Sequence, residues 1–359
     1  MTGRRTILFA VILASWFGLG GVIRGRGQEL APTSQTAEVC APMAAGRGAF
    51  RARRYREAAA LFAAAAKAAE AGTGACPREA LYDQARALER LGDLGVAEGA
   101  LRRYLAGGDH FARALYLLGS ILQRENKAKE SLEIFTRAAA QKAPTAEELR
   151  IVALDYVLLD DYVDAVGWLR RAVEADPRNL LAWYDLGRAQ MHEGDFVNAE
   201  QSFKRTLLLD PGNVKALDNL GLSYEGQNRT EEAVTAYQRA IAAQRAVDQP
   251  SEQPLLNLGT LLNTRNRSAE AVGLLQRTVE IAPKCSHCLE ELARAYEFTR
   301  QQDLAIGTMQ RAIMLDGSNP RLHFQMGQMY RRAGRATDAD HEFKVSSALY
   351  GRHSTPIEQ

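Results

Sequence analysis

The residues with the clearest capacity for chemistry form a Cys-x-x-Cys motif, Cys285-Ser286-His287-Cys288. Two thiols at this spacing form a disulfide, exchange electrons as a dithiol, or contribute ligands to a metal. A redox centre of the thioredoxin type requires a βαβ setting, and a c-type haem site requires His where the chain has Leu289. A zinc site requires two further ligands nearby. We therefore favour a structural disulfide and keep a redox or small-molecule role for this motif as the alternative.

The remaining two cysteines, Cys40 and Cys76, are expected near the starts of helices in adjacent helical units. An even number of four cysteines, in a chain that begins with an export-type segment, is typical of paired thiols. The sequence is therefore consistent with two disulfides, one within Cys285–Cys288 and one between Cys40 and Cys76.

Apart from this motif, the sequence has no arrangement that is typical of a catalytic or metal site. It contains no GxxxxGK phosphate loop, no GxSxG nucleophile motif, no HExxH zinc motif and no calcium-binding loop. His192-Glu193 lacks a second His four residues later, and the pair Asp160-Asp161 is expected in a solvated turn between helices. We therefore predict that the protein is not an enzyme and has no catalytic residue, no cofactor and no metal.

The charge balance argues against nucleic acid as the main ligand, because Lys and Arg number 45 while Asp and Glu number 43. One local excess of positive charge lies between residues 47 and 67, where six basic residues accompany one acid, Glu57. We interpret it as a solvated surface; if it binds a ligand, anionic lipid head groups are favoured over DNA. The six residues are Arg47, Arg51, Arg53, Arg54, Arg56 and Lys67.

The N-terminal segment is typical of a targeting signal rather than of a folded domain. Two arginines precede an uncharged run at 6–23, and two more follow it. This is the layout of a secretory signal, and the run is also just long enough for a membrane-spanning helix. We predict export to the periplasm or another extracytoplasmic compartment, with 1–27 cleaved as a signal peptide and 28–38 as a flexible linker. The alternative is an uncleaved segment that tethers the protein to the inner membrane.

The rest of the chain has a helical pattern, best developed between Leu180 and Asn213. Leu186 and Gly187 lie on one face of a first helix, a Gly-Asp turn follows, and Phe203 lies on the matching face of a second helix. Two helices joined by a short turn form an αα-hairpin, which cannot bury its apolar face alone. Because the pattern recurs every 34 residues and no run alternates with period two, the sequence predicts an all-α array of stacked hairpins.

This pattern resembles the tetratricopeptide repeat (TPR), a unit of 34 residues with Leu-Gly in its first helix and an aromatic residue in its second. One such shift takes Leu186-Gly187 to Leu220-Gly221 and an aromatic position to Tyr237. The resemblance implies an α-solenoid, a right-handed superhelix of about nine repeats at 39–353, followed by a polar tail at 354–359. We place the repeats at 39–72, 78–111, 112–145, 146–179, 180–213, 214–247, 252–285, 286–319 and 320–353.

Two packing expectations accompany the resemblance. A glycine in a first helix is expected where the second helix of the same hairpin approaches closely, and this close approach offsets the roughly 1 kcal/mol helix penalty of glycine. Trp183 is expected to be buried between hairpins. The glycines concerned are Gly119, Gly187, Gly221, Gly259 and Gly327.

In TPR proteins the first helices line a concave groove that binds peptides or extended segments of partner proteins, and the resemblance implies the same here. Candidate groove residues are the polar and aromatic side chains of these helices that point away from the hairpin core. Tyr, Arg and Asn among them suit the recognition of polypeptides. They are Tyr82, Arg86, Tyr116, Arg124, Tyr184, Arg188, His192, Asp218, Asn219, Glu225, Asn257, Asn263, Glu290, Arg294, Phe324, Gln328 and Arg331.

One TPR subfamily holds the C-terminal carboxylate of chaperones in a clamp of Lys and Asn residues from three repeats. Asn219 and Asn257 occupy suitable places, but Tyr184 and Arg188 stand where a Lys and an Asn are expected. We therefore do not predict binding of chaperone tails. The function that we predict is a non-enzymatic scaffold or adaptor for other proteins, in an exported or envelope assembly.

Overall fold

A computed structural model describes residues 40–72, 76–107, 111–246 and 248–353. Within these residues the protein is all-α, with eighteen α-helices, a short 3-10 helix at Gln244–Ala246 and no strand. The first helices of the nine hairpins are α1 (Ala41–Arg51), α3 (Ala80–Leu91), α5 (Ala112–Arg124), α7 (Ala146–Leu158), α9 (Leu180–His192), α11 (Val214–Gly226), α13 (Gln253–Thr264), α15 (Ser286–Phe298) and α17 (Pro320–Arg332). The second helices are α2 (Tyr55–Glu70), α4 (Leu94–Leu105), α6 (Ala128–Ala139), α8 (Tyr162–Ala175), α10 (Phe196–Leu209), α12 (Thr230–Ala243), α14 (Ser268–Ile281), α16 (Gln302–Leu315) and α18 (Ala336–His353).

The helices stack as an α-solenoid in which each helix packs against the next one along the chain. From α5 to α15, each first helix also contacts the first helix of the following hairpin directly, whereas the second helices do not approach one another to the same extent within the described residues. An array of this kind curves towards the helices that are closer together. We call the surface formed by the odd-numbered helices, α1 to α17, the inner wall.

In six of the nine hairpins, close contact depends on a glycine in the first helix and a large side chain sixteen residues later in the second. A Cβ atom added to Gly187 would lie 2.7 Å from the ring of Phe203, a distance that real side chains do not adopt. This confirms the explanation given for the glycines in the sequence. The pairs are Gly46–Phe62, Gly119–Phe135, Gly187–Phe203, Gly221–Tyr237, Gly259–Leu275 and Gly327–Phe343, with distances of 2.5–2.7 Å from the added Cβ atom.

Each hairpin turn contains one residue in the left-handed backbone region, with φ between 56° and 83°. This conformation ends the first helix and reverses the chain. Glycine adopts it freely, and asparagine and aspartate adopt it more readily than most residues. Asp160 therefore lies in a turn, as predicted. The nine residues are Arg53, Gly92, Asn126, Asp160, Gly194, Asn228, Asn266, Arg300 and Gly334.

The hydrophobic core runs along the array between the two layers of helices. Phe203 and Tyr237 are completely buried in it, as is expected of the aromatic positions of the second helices. The expectation that Trp183 is buried between hairpins is wrong, because its ring is only half-buried at the edge of the core. Its Nε1 donates a hydrogen bond to the carbonyl oxygen of Pro177 at 2.9 Å. Its indole N–H is satisfied by the backbone of the preceding loop, so the ring stays at the hairpin edge.

Among the described residues, no helix combines the length and the apolar character that a membrane crossing requires. The predicted signal peptide or membrane anchor at 1–27, the linker at 28–38 and the tail at 354–359 lie outside the described residues.

Candidate functional site

Two cavities, one at each end of the described array, are lined by first helices of the inner wall. The first, which we call the N-terminal cavity, has a volume of 490 Å³ and lies across α1, α3 and α5. It brings together two residues predicted from the sequence, Tyr82 and Arg86, with others that the sequence analysis did not assign to the groove. Its basic and aromatic lining consists of Arg47, Phe50, Arg51, Phe62, Tyr82, Arg86 and Arg113, and its acidic lining consists of Glu79 and Asp83.

The second, which we call the C-terminal cavity, has a volume of 440 Å³ and lies between α17 and α18. Three predicted groove residues, Phe324, Gln328 and Arg331, line it. The Phe324 side chain is 47% exposed, and its ring lies 5.6 Å from that of Phe343, between centroids. The guanidinium of Arg331 lies 4.7 Å from the centroid of the Phe343 ring. An exposed aromatic ring beside an arginine is the composition of protein-binding hot spots.

A ladder of polar contacts joins the first helices of successive hairpins along the inner wall, and the sequence analysis missed it. Most of its pairs are 35 residues apart, which is one repeat plus one residue. Asp218 and Asn257 are 39 residues apart because four extra residues, 248–251, intervene. A search for complementary polar residues at this separation would have found the ladder. Its other pairs are Arg47–Asp83, Glu89–Arg124, Arg150–Asp185, Tyr184–Asn219, Glu290–Gln325 and Glu297–Arg332, at 2.6–3.5 Å.

The ladder changes the interpretation of several predicted groove residues. Asn219 Nδ2 donates to the Tyr184 hydroxyl at 3.0 Å, and Asn257 Nδ2 donates to Asp218 Oδ1 at 3.0 Å. Arg124 is held by Glu89 in the preceding hairpin. These side chains therefore bind one another across repeats, so a partner that used them would have to displace an existing contact.

Four predicted groove residues are buried, and the expectation that they point into the groove is wrong. Tyr116, Asn263, Glu290 and Asp218 each have at most 7% of their surface exposed. The Tyr116 hydroxyl donates to the backbone, and Asn263 Nδ2 donates to the carbonyl oxygen of the residue at position 291. Burial raises the pKa of the Asp218 carboxyl to about 6, against the opposing effect of its hydrogen bond from Asn257. These positions are covered because the next first helix packs over them.

The remaining predicted residues lie on the surface of the inner wall or at its edge. Arg188 and His192 are exposed, and the His192 ring stacks on Tyr162 of the preceding hairpin with 4.4 Å between centroids. Glu225 is half-buried, accepts a hydrogen bond from Tyr237, and has a pKa raised by burial. Within the described residues, Arg188 on α9 forms no ion pair, so its exposed guanidinium is available to bind an anionic group of a partner.

The four cysteines are bonded in two pairs in the structure, Cys40 with Cys76 and Cys285 with Cys288. The first pair connects the start of α1 to the segment before α3. The second lies in the first turn of α15, where the Cys285 sulfur also accepts a hydrogen bond from the backbone N–H of Cys288 at 3.1 Å. Cys288 is fully buried.

A cluster of His287, Glu290 and Glu291 lies beside this second pair, with its ligand atoms within 4.8 Å of one another. Arginines already neutralise both carboxylates, since Arg321 contacts Glu290 and Arg294 contacts Glu291. Burial opposes ionisation of Glu290, but its hydrogen bonds, the one from His287 being the strongest, outweigh burial and hold the pKa below its usual value. The arrangement is that of a structural ion-pair cluster that joins the last two hairpins.

Two family models match the chain. The tetratricopeptide repeat model matches residues 43–110 and 82–147, and the model of the middle TPR-like domain of cilia and flagella-associated protein 70 matches residues 149–282. Together they cover most of the described array. The chain is a tetratricopeptide-repeat protein. Proteins of this family are protein-interaction scaffolds built from helical repeats, and they are generally not enzymes.

Curated relatives of this TPR protein match only in part. The rhomboid protease GluP of Bacillus subtilis is 33% identical over 93 residues, which are 26% of this chain and 18% of the relative. Protein POLLENLESS 3-LIKE 2 of Arabidopsis thaliana is 27% identical over 177 residues, which are 40% of this chain and 39% of the relative. The chain thus spans well under half the length of the curated relatives that it matches.

Solved structures share the fold of this TPR protein. A tetratricopeptide repeat protein from Parabacteroides merdae superposes with a TM-score of 0.54 at 16% identity, over 75% of this chain and 98% of that one. PilW, described as a widely conserved type IV pilus biogenesis factor, superposes with a TM-score of 0.52 at 20% identity, over 59% of this chain and 96% of that one. At these identities the similarity establishes the solenoid fold alone.

Proposed function

We propose that this TPR protein is a non-enzymatic scaffold that binds partner polypeptides along its inner wall, as part of an exported or envelope assembly. The observation that carries the proposal is that a cavity at each end of the described array is lined by first helices, with α18 forming the other side of the second cavity, and that both combine exposed arginines with aromatic rings. Arginine and aromatic side chains carry most of the energy of protein interfaces. The polar ladder supports the proposal, since it holds the first helices in fixed register and so presents a preformed surface.

Capture of a partner tests this function. The full chain, tagged at its C-terminus, serves as bait in an extract of the source organism, beside a variant with Arg188→Ala, Phe324→Ala and Arg331→Ala. We expect a protein that the unaltered chain retains and the variant loses, because these exposed side chains lie on α9 and α17 of the inner wall.

The matched control changes exposed residues of the second helices, Arg170→Ala, Arg205→Ala and Leu208→Ala. It removes two positive charges and one exposed apolar side chain from the opposite layer. If both variants, or the control alone, failed to retain the partner, the proposal that the inner wall is the binding surface would be wrong.

The proposed export is supported by the signal-like segment at 1–27 together with the two cysteine pairs. Disulfides persist in oxidising compartments and are rare in the cytosol. We therefore expect no free thiol when the protein is isolated without reductant, unfolded and titrated with a thiol reagent, and four after reduction, matching the four cysteines. Four free thiols in the untreated protein would contradict an oxidising location.

Thiol titration of the folded protein after treatment with a mild dithiol separates the scaffold from the alternative redox function of Cys285 and Cys288. A redox role requires that this pair exchange with a mild dithiol while the fold stays intact. The complete burial of Cys288 leaves only the half-buried sulfur of Cys285 for an incoming thiolate to attack, which favours a slowly exchanging pair. Rapid exchange of this pair alone, with no partner captured by the inner wall, would favour the alternative.

A further inference from the structure

We propose that the N-terminal cavity binds an acidic segment of a partner polypeptide, with carboxylates on its arginines and an apolar side chain against its aromatic rings. The inference rests on the proposed function, since it names the chemistry of the partner at one end of the inner wall. It defines a binding site in which Arg86, a predicted groove residue, lies with three further arginines. Arg47 and Arg51 were interpreted from the sequence as part of a solvated basic surface, and Arg113 was not assigned.

The net charge of the cavity lining supports an anionic ligand. Four arginines line the cavity against two carboxylates. Arg47 and Arg86 share one carboxylate, that of Asp83, at 3.5 Å and 3.4 Å. Within the described residues Arg51 and Arg113 form no ion pair, although both are exposed. The cavity therefore keeps an excess of positive charge that an anionic ligand would neutralise.

The aromatic rings of the cavity also support binding of a carboxylate, because two of the arginine guanidinium groups stack on them and are held in position. Arg86 lies over the Phe50 ring, 4.8 Å from its centroid, and Arg113 lies over the Tyr82 ring at 5.0 Å. A stacked guanidinium keeps its N–H groups at the edge free to donate two parallel hydrogen bonds to a carboxylate. Since stacking restricts the side chains before the ligand arrives, less conformational entropy is lost on binding.

The location favours a polypeptide over a membrane surface. The arginines of the cavity lie on the first helices α1, α3 and α5 and surround a recess of 490 Å³. A flat bilayer does not reach into a recess, whereas an extended segment does. Of the other basic residues in the first hairpin, Arg54 pairs with Glu57 at 2.9 Å and Arg53 occupies the turn. The basic residues between 47 and 67 are therefore divided between the cavity, the turn of the hairpin and its second helix α2, which carries Arg56 and Lys67.

The size of the cavity favours a polypeptide over a single inorganic anion. At 490 Å³ it falls in the range of about 300–1,000 Å³ that is typical of pockets for organic ligands, which are larger than a single inorganic anion and comparable with amino-acid side chains. A phosphate ion would use the arginines and leave the rings of Phe50 and Tyr82 without a contact. A carboxylate-bearing segment with an apolar residue uses both.

Binding of a synthetic peptide tests the inference with the full chain. The probe is a short fluorescein-labelled peptide in which Glu alternates with Ser around a central Phe, and the matched peptide has Gln in place of every Glu. Fluorescence anisotropy should show that the Glu peptide binds at least about tenfold more tightly, and that added salt reduces the difference. The double variant Arg51→Gln and Arg113→Gln should lose about tenfold or more in affinity for the Glu peptide.

The matched control is Arg170→Gln with Arg205→Gln, which removes the same charge from the second helices and should bind the Glu peptide as the unaltered chain does. Thermal unfolding of both variants establishes that they fold. Equal affinity for the two peptides, or an equal loss in the control variant, would overturn the inference. So would binding to phosphatidylglycerol vesicles that depends on Arg51 and Arg113 in the absence of peptide binding.

Failure of this inference differs from failure of the proposed scaffold. If the Glu peptide does not bind, while capture of a partner still depends on Arg188, Phe324 and Arg331, the scaffold stands and the cavity is not its acidic-segment site. If neither is observed, both proposals fail.

Discussion

Replacing Gly187 with alanine is expected to destabilise the array by about 1–3 kcal/mol, and replacing it with leucine by more, because a Cβ atom here overlaps a buried ring. The added Cβ atom would lie 2.7 Å from Cε1 of Phe203, whose side chain is completely buried. Because the ring is enclosed by the core, it cannot swing out into solvent to relieve the overlap. Helix propensity alone predicts the opposite sign, since alanine favours a helix over glycine by about 1 kcal/mol. The direction of the change therefore identifies packing as the cause.

Thermal and urea unfolding followed by circular dichroism measures this effect. The matched control is Gly273→Ala in α14, where an added Cβ atom meets nothing within 4 Å. We expect that control to gain about 0.4–1 kcal/mol, because alanine restricts the unfolded chain without a clash. A shift of both variants in the same direction would show that close approach to Phe203 is not the reason for Gly187. Because repeat arrays can unfold in segments, the two variants are compared at several wavelengths and denaturant concentrations.

Replacing Asp155 with asparagine is expected to stabilise the protein at pH 8 by up to about 4 kcal/mol. Asp155 on α7 is completely buried, and burial raises the pKa of its carboxyl from 3.8 to about 7. Its Oδ2 lies 2.6 Å from Ser131 Oγ, which also lies 2.9 Å from the carbonyl oxygen of Gly119. Ser131 has one hydroxyl proton, and when it donates that proton to the carbonyl oxygen of Gly119, its oxygen can accept a hydrogen bond from Asp155. A protonated Asp155 carboxyl donates that hydrogen bond, and the side-chain amide of asparagine can donate it equally.

The sign of the pH dependence follows from the raised pKa. The folded protein retains the carboxyl proton to about pH 7, whereas the unfolded chain loses it near pH 4. The contribution of protonated Asp155 is fully present below about pH 4 and is lost as the pH rises through about 7. Asparagine has no proton to lose, so the advantage of the variant should be small at pH 4 and largest above pH 7.

Urea unfolding at a series of pH values, with the variant and the unaltered chain side by side, measures this difference. The control is Glu133→Gln on α6, which removes an exposed carboxyl and should change stability by no more than about 0.5 kcal/mol. A constant difference between Asp155→Asn and the unaltered chain from pH 4 to pH 8 would show that Asp155 does not carry a proton in the folded protein. A similar pH dependence in Glu133→Gln would assign the effect to general charge.

Several features were accessible from the sequence because they depend on short separations. The αα-hairpin follows from the spacing of apolar residues within each helix, and its repetition follows from the 34-residue period. The role of Gly187 was predictable for the same reason, since the glycine and Phe203 lie in one hairpin. Some candidate binding residues were also predictable from the sequence. Arg86 and Phe324, which are exposed near the two ends of the array, line cavities in the structure.

The contacts between successive hairpins could be known only from the tertiary structure, because they depend on how one hairpin packs on the next. Successive first helices are offset so that a residue meets the one 35 positions later, which pairs Tyr184 with Asn219. The same stacking buries Asn263 and Glu290, because packing of the following helix covers side chains that a single helix would expose. It also places Arg113 of the third hairpin beside Tyr82 of the second. The repeat period alone carries no information on this offset, which is set by the shapes of the side chains between hairpins.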